Sequence, residues 1–555
     1  NFCLGVSSLA PTLQPQTKNS SMDADSLREE LEEELIRGVP LQVCLSGWAK
    51  HWAKNSGMFG AAQSLWDLSQ QTARFDHFLS HDWSTPRWEK LLAMLVVFNS
   101  PAAAIASLLV SAMTILIVTL MRLPPALTQV LPSYFVFWFV FCFWQRIRQM
   151  FRRPLTVFFD KLCIAQHDEK LKIKSVYGLA SFLNHSDRLL ILWSPRYFSR
   201  IWCAYELATF MRDPAKRKSI QMMPTKLAVL QLVYCLLMHL TYGASIALAT
   251  PSDANRLSQV MFVILALAAA IFLAVALSLY ICMQLIEDIE ELPEQLAGFD
   301  IQSSKCWCCS NNHRHPITGK DIPCDRRLVY KALRKAYVSI DTEADKERPE
   351  HYLEIFNAVV RGDLTTNLLR SMGTTAIRVD LTVFMVCSPS LGSLVYFLPI
   401  YAAGARDFAG YELFVWWVRC LLHWAILPVN AVFSIQAFVV FCWIGNRWMM
   451  CNKASCKRTV RAATAVLLVL PSMFVAGLPW MLFEFVRAIT YTPSLAPALP
   501  FLGLLMIDLY VCCPRRSTAR AALSELANAT SSTQPIGLSA EAHMSREDSL
   551  VEEAF

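Results

Sequence analysis

The sequence predicts a multi-pass α-helical membrane protein with a cytoplasmic α/β domain of parallel strands. Three observations carry this. Of 555 residues, 54% are hydrophobic and only 17% charged, against about 25% charged in a typical soluble chain. The shortfall is concentrated in long uncharged runs, each close to the roughly 20 residues that cross about 30 Å of hydrocarbon. Two polar stretches, FDHFLSHDW (75–83) and the segment 157–210, read as pieces of one α/β unit separated by the first two such runs. A domain cannot close across a bilayer, so the intervening crossings must be even in number and both pieces must lie on one face.

In chain order, residues 1–22 are rich in Ser, Thr, Pro and Gln, which predicts a disordered N-terminus. Residues 23–74 read as a helical segment. Leu27, Leu31 and Leu35 form a narrow apolar seam on a short acidic helix, and Trp48, Trp52 and Trp66 mark a half-buried stretch behind it. The split α/β domain occupies 75–100 and 150–225. Its predicted strands are 75–79, 157–159, 189–193 and 219–223, the last ended by Pro224. A helix is expected over 87–99, broken by Asn99, Ser100 and Pro101. Others are expected over 175–184 and from an N-cap at Ser199 to about Met211. Strands alternating with helices predict an open parallel sheet, with its ligand site at the carboxyl ends of the strands.

Eight apolar runs are candidate membrane spans. A hairpin over 102–144 holds 102–121 and 124–144, and a second over 227–285 begins at 227–250 and ends at 260–285. A four-span block over 381–513 holds 381–404, 411–445, 462–483 and 489–513. The run 411–445 contains Pro428 and is long for one upright helix. It is either one tilted or kinked helix or two segments, and two spans there would make nine. Between the blocks lies a polar helical segment, 286–378, and the tail 514–555 is expected to be disordered.

Basic residues flank the spans on one side: Arg146, Arg148, Arg152 and Arg153; Lys216, Arg217 and Lys218; Arg447, Lys453, Lys457, Arg458 and Arg461; Arg515 and Arg516. The opposite connections are short and carry few charges. The positive-inside rule then places the basic face, both termini and every long polar segment in the cytoplasm. The clusters are read as topology signals and contacts with the lipid bilayer. No nucleic-acid motif accompanies them, so no nucleic acid is expected as partner. Most of the 18 cysteines fall in spans or in segments expected to be cytoplasmic, where thiols stay reduced.

The α/β pieces also resemble the Toll/interleukin receptor (TIR) family. FDHFLSH (75–81) is similar to its first box. FFDKLCIAQHDEK (158–170) is similar to its second strand and following loop, and LASFLNHSDRLLILWSPRYFSRIWCAYEL (179–207) to its third strand and Trp-Cys-x-x-Glu-Leu helix. The resemblance covers about 65 residues and implies a flavodoxin-like fold. It departs from the family in two ways: a membrane hairpin interrupts the domain, and the final strand and helix are missing before the next span. It implies self-association, or association with other TIR-like domains. It also implies cleavage of NAD as substrate, with Glu206 catalytic and Ser80, His81, Asp160 and Trp202 in contact with substrate; no cofactor is required. One carboxylate suits that chemistry, because nicotinamide leaves as a neutral group and the ribose carries the positive charge. The alternative is that Glu206 is an ordinary helix residue and the domain only assembles. Without a Walker or Rossmann glycine loop, nucleoside triphosphatase and ordinary dehydrogenase chemistry are not expected.

Cys306, Cys308, Cys309, His313, His315 and Cys324 cluster within 19 residues. These ligand types suit structural zinc, although the spacing fits no standard finger; free or acylated cysteines are the alternative. Cys512 and Cys513, at the end of the last span, are candidates for palmitoylation. Within the spans, His239, Arg419, His423 and Asp508 are ionisable, with Glu484 the expected partner of Arg419. So few charges favour structural pairing over an ion pathway. The leading expectation is a membrane-anchored TIR-like signalling protein, with NAD glycohydrolase activity as a conditional extra. Its alternatives are a transporter or channel with a regulatory TIR-like module, and a purely structural scaffold.

Overall fold

A computed structural model describes residues 31–53, 63–124, 126–249, 257–314, 319, 321, 324–337, 350–364, 379–451, 457–491 and 494–512. The expected disordered termini (1–22 and 514–555), most of the acidic N-terminal helix, His315 and Cys513 lie outside these residues.

Six short strands form one sheet in the order β2-β1-β4-β3-β5-β6. They are β1 (Arg37–Pro40), β2 (Gln70–Gln71), β3 (His77–His81), β4 (Thr156–Phe158), β5 (Leu189–Trp193) and β6 (Ile220–Pro224). Strand β3 runs parallel to both β4 and β5, with Phe78 opposite Phe158 on one side and Leu189 on the other. The segments on either side of the first apolar hairpin therefore share one sheet. Every residue of β3 and β5 is buried; β5 accordingly reads as a continuous apolar run, whereas β3 carries His77, Ser80 and His81 into the interior.

The sheet is mixed, which corrects the expectation of parallel strands alone. β1 pairs antiparallel with β4 and with β2. Both new strands fall in 23–74, the segment expected to be helical. They are four and two residues long, too short to carry a readable period.

Two helices follow β3. α1 (Arg87–Met121) leaves the sheet and α2 (Leu131–Arg148) returns beside it. The expected break at Asn99–Pro101 does not occur, and α1 is continuous over 35 residues. Pro101 removes one helical donor. The two polar residues before it support the site instead of ending the helix. Ser100 Oγ donates to the Val96 carbonyl at 2.6 Å, and Asn99 Nδ2 donates to the Phe141 carbonyl of α2 at 2.8 Å.

Between β4 and β5, the expected helix 175–184 is two helices, α3 (Glu169–Tyr177) and α4 (Leu179–Asn184), parted at Gly178. A side chain at 178 would collide with Leu31, so glycine lets the N-terminal leucine seam close on this joint. α5 (Ile201–Met211) is capped at Arg200, one residue beyond the expected Ser199. Strand β6 passes directly into the next apolar helix, α6 (Thr225–Ala249), followed by α7 (Leu257–Glu290).

The polar segment after α7 includes α8 (Asp325–Tyr337) and α9 (His351–Val359). Leu292, Leu296, Cys308, Leu333 and Phe356 join the same hydrophobic core as the sheet, packing over α5. The three remaining long helices are α10 (Val379–Gly404), α11 (Gly410–Cys451) and α12 (Lys457–Ile489), followed by α13 (Ala498–Cys512).

Seven described helices are long and apolar enough to cross a membrane, which makes this a multi-pass integral membrane protein. The eighth expected span is the 15-residue α13. At 1.5 Å per residue it reaches about 22 Å, short of a full hydrocarbon core. α11 passes through Pro428 as one helix of 42 residues, so the run 411–445 is a single segment.

Charges in the apolar helices are held locally. Arg419 does not pair with Glu484 as expected. Its guanidinium donates to the carbonyls of Arg487, Thr490 and Ser494 at 2.9, 3.0 and 2.8 Å, filling the exposed C-terminal turn of α12. Glu484 instead meets Arg487 at 2.6 Å and His423 at 3.3 Å. His239 is buried among Tyr134, Phe137 and Trp138. Asp508 is buried on α13.

Candidate functional site

The carboxyl ends of β3 and β4 gather an unusual density of polar groups. β3 ends in Ser80 and His81, followed by Asp82 and Trp83, and β4 leads into Asp160 and Lys161. α5 lies across this edge and contributes Glu206.

Ser80 is 1% exposed, so its hydroxyl must be satisfied within the protein. It donates to Glu206 Oε2 at 2.5 Å and lies 2.6 Å from the Tyr197 hydroxyl. A serine has one proton to give, so the Tyr197 hydroxyl donates to Ser80, which donates to Glu206. Glu206 is half-buried. Burial pushes its carboxyl up to about 8; the Ser80 hydrogen bond opposes the rise and nearby Asp160 adds to it. At neutral pH in the free protein the carboxyl is mainly protonated.

Asp160 accepts from the Trp83 indole at 2.7 Å and from the Lys161 amide at 2.8 Å. Burial raises its carboxyl, against the pull of Lys161 and of the Trp83 bond. His81 packs against Trp52, Phe159 and Trp83, with ring centroids 4.7, 6.0 and 6.5 Å away. Burial pushes its imidazole well below its ordinary range, and the positive charges of Lys90 and Lys161 push the same way. It is a neutral, enclosed ring.

Of the residues expected to touch substrate, Ser80 and Glu206 meet directly. Asp160 lies at the same sheet edge, and His81 is closed off behind it. Trp202 shares a helix with Glu206, one turn before it. Sequence reasoning did not single out Tyr197, Asp82 or Lys90. Asp82 has no exposed side-chain surface and faces Arg196 and Arg200 at 3.6 and 3.8 Å. Lys90, 1% exposed on α1, sits over the Trp52 ring at 5.5 Å. The available signal was the nearness in sequence of Asp82 to a lysine in the first turn of α1, which spacing alone cannot interpret.

A second cluster lies beside the start of α5. Residue 305 bridges to residue 200 in parallel, and the Lys305 amide donates to the Ser199 carbonyl at 2.7 Å. Beyond it, one ligand atom each from Cys308, Cys309, His313 and Cys324 lies within 4.8 Å of all the others. Cys306 belongs instead to a group with Cys308 and Asp325.

Compared with known proteins, the chain matches no family model, no curated protein and no solved structure.

Proposed function

We propose that this chain is a membrane-anchored TIR-like signalling protein. Its α/β domain faces the cytoplasm, self-associates there, and cleaves the nicotinamide–ribose bond of NAD through Glu206. The observation that carries this reading is the Glu206–Ser80 pair at the carboxyl ends of parallel strands, where open α/β sheets bind ligands. Perturbed carboxyls at such edges are functional-site candidates.

In the proposed reaction the C1′–N bond breaks and its electron pair leaves with neutral nicotinamide. The cationic ribose is stabilised by the Glu206 carboxylate. Water adds at C1′ and releases a proton, giving ADP-ribose. The cationic substrate favours the ionised carboxyl. The ratio kcat/KM, which follows ionisation of the free protein, therefore rises as pH passes through about 8.

The transporter alternative has less support. A cavity of about 220 Å³ among the apolar helices is lined mainly by side chains such as Leu227, Tyr234, Leu279 and Phe438. Such walls suit an acyl chain better than an ion.

The test is the full chain in nanodiscs, incubated with NAD and assayed for free nicotinamide. Release is expected, increasing from about pH 6 to about pH 9 and absent in Glu206→Ala. Turnover that survives Glu206→Ala, or no release from the wild type, would overturn the catalytic reading.

A further inference from the structure

We propose that Cys308, Cys309, His313 and Cys324 bind one structural zinc ion that ties Cys324 to the 305–314 segment beside the start of α5. This goes beyond the proposed activity and does not depend on it.

The distances fit the ion. A tetrahedral site with Zn–S bonds of about 2.3 Å has sulfur–sulfur edges of about 3.8 Å. Cys309 Sγ lies 3.8 Å from Cys324 Sγ and 4.0 Å from Cys308 Sγ. The fourth corner is His313, one of whose ring nitrogens lies within 4.8 Å of every sulfur. Cys306 Sγ is only 2.9 Å from Cys308 Sγ. That is too short for two ligands of one zinc and longer than the roughly 2.05 Å of a disulfide, so Cys306 is left outside the set.

The surroundings fit as well. Three thiolates, a neutral imidazole and Zn²⁺ sum to one negative charge. The guanidinium of Arg326 reaches Cys309 and can offset it. The Asp325 amide donates to Cys308 Sγ at 3.2 Å, fixing that sulfur as an acceptor. Asn312 and His313 both hold left-handed backbone, with φ of 52° and 57°. Two consecutive residues in this region carry a cost that zinc coordination would offset. The zinc would join Cys324 to Cys308, Cys309 and His313, 11 to 16 residues earlier in the sequence. On binding, three thiol protons leave to solvent.

The clamp has a mechanical consequence. The 305–314 segment meets α5 through the 200–305 bridge. Zinc would therefore fix the end of the helix that carries Glu206.

The test is metal analysis of the full chain purified in detergent without chelator. About one zinc per chain is expected, with cobalt exchange giving a tetrahedral, thiolate charge-transfer spectrum. Cys308→Ser/Cys324→Ser should lose the metal, whereas Cys306→Ser should keep it. Wild-type protein that holds no zinc and gives no such cobalt spectrum would overturn the assignment. So would thioester-linked acyl groups on Cys308, Cys309 or Cys324, or zinc retained by the double variant. Nicotinamide release measured on the same samples separates this proposal from the catalytic one, since either can fail alone.

Discussion

Replacing Glu206 with glutamine should stabilise the protein, and increasingly so as pH rises. In the unfolded chain the carboxyl ionises near its ordinary value of 4.5; in the fold it ionises at about 8. Below pH 4.5 both states are protonated and the residue contributes no pH dependence. Between the two values the unfolded state releases a proton that the folded state keeps, so stability falls as pH rises. At about 1.36 kcal/mol per pH unit, the full interval corresponds to about 5 kcal/mol, of which about 3 is already lost by about pH 7. Above about pH 8 both states are ionised and the loss levels off. The amide introduced by Glu206→Gln can still accept the Ser80 hydrogen bond and never ionises. Thermal unfolding of wild type and Glu206→Gln in matched nanodiscs should give similar midpoints near pH 4.5. The variant's midpoint should move progressively above wild type as pH climbs towards about 8. A difference that stays flat over this range, or a variant less stable than wild type at its upper end, would refute the picture of a carboxyl held neutral by burial.

Two further outcomes follow from the packing of the apolar helices. Gly392 of α10 lies against α2, where an added Cβ would sit 2.8 Å from both Ser133 Oγ and Tyr134 Cε1. Gly392→Ala should therefore cost about 1–3 kcal/mol and lower the unfolding temperature. Gly477→Ala, whose nearest neighbour is 4.0 Å away, should leave it unchanged; equal melting of the two variants would argue against close helix contact at Gly392. Epitopes inserted after Leu123 and after Arg153 should lie on opposite sides of the membrane. The first should be detected on intact cells and the second only after permeabilisation, while detection of both on intact cells would contradict the assigned orientation.

β5 was legible because burial on both faces makes it apolar throughout, and β3 because its Phe78–Leu79 core is bounded by polar residues. α5 was legible to within one residue of its cap. What was hidden depended on tertiary context. β1 and β2 are too short to signal themselves; β1 exists because β4 offers it an edge, and β2 because β1 does. The Asn99-Ser100-Pro101 stretch has the chemistry of a helix end, and only α2, through the Phe141 carbonyl and the Gln145 amide, gives Asn99 another role. Arg419 could be recognised as a charge needing a partner, but three of its partners are backbone carbonyls, which leave no mark in a residue pattern, and the fourth is the Thr490 hydroxyl. At the site, Glu206 and Ser80 were picked out by family resemblance, and their hydrogen bond follows from the α5 crossing. The four-residue metal set could not be separated from the six candidates by spacing, because the geometry that excludes Cys306 is a single sulfur–sulfur distance.

The unbroken α1 changes what the membrane hairpin does to the domain. Its 35 residues span about 52 Å at 1.5 Å per residue, and the hydrocarbon core accounts for about 30 Å of that. The remaining length stands within the α/β domain. Only the turn 82–86 separates the start of α1 from the end of β3, where Ser80 holds Glu206. A flexible break at Pro101 would let the bilayer and the sheet move independently. A continuous rod, with Asn99 locked to α2 and Lys90 buried in the domain, does not. Such a rod would carry any tilt or rotation of the hairpin to β3, the strand that holds Ser80. The insertion that splits the domain in sequence thus continues from the domain itself as one unbroken helix.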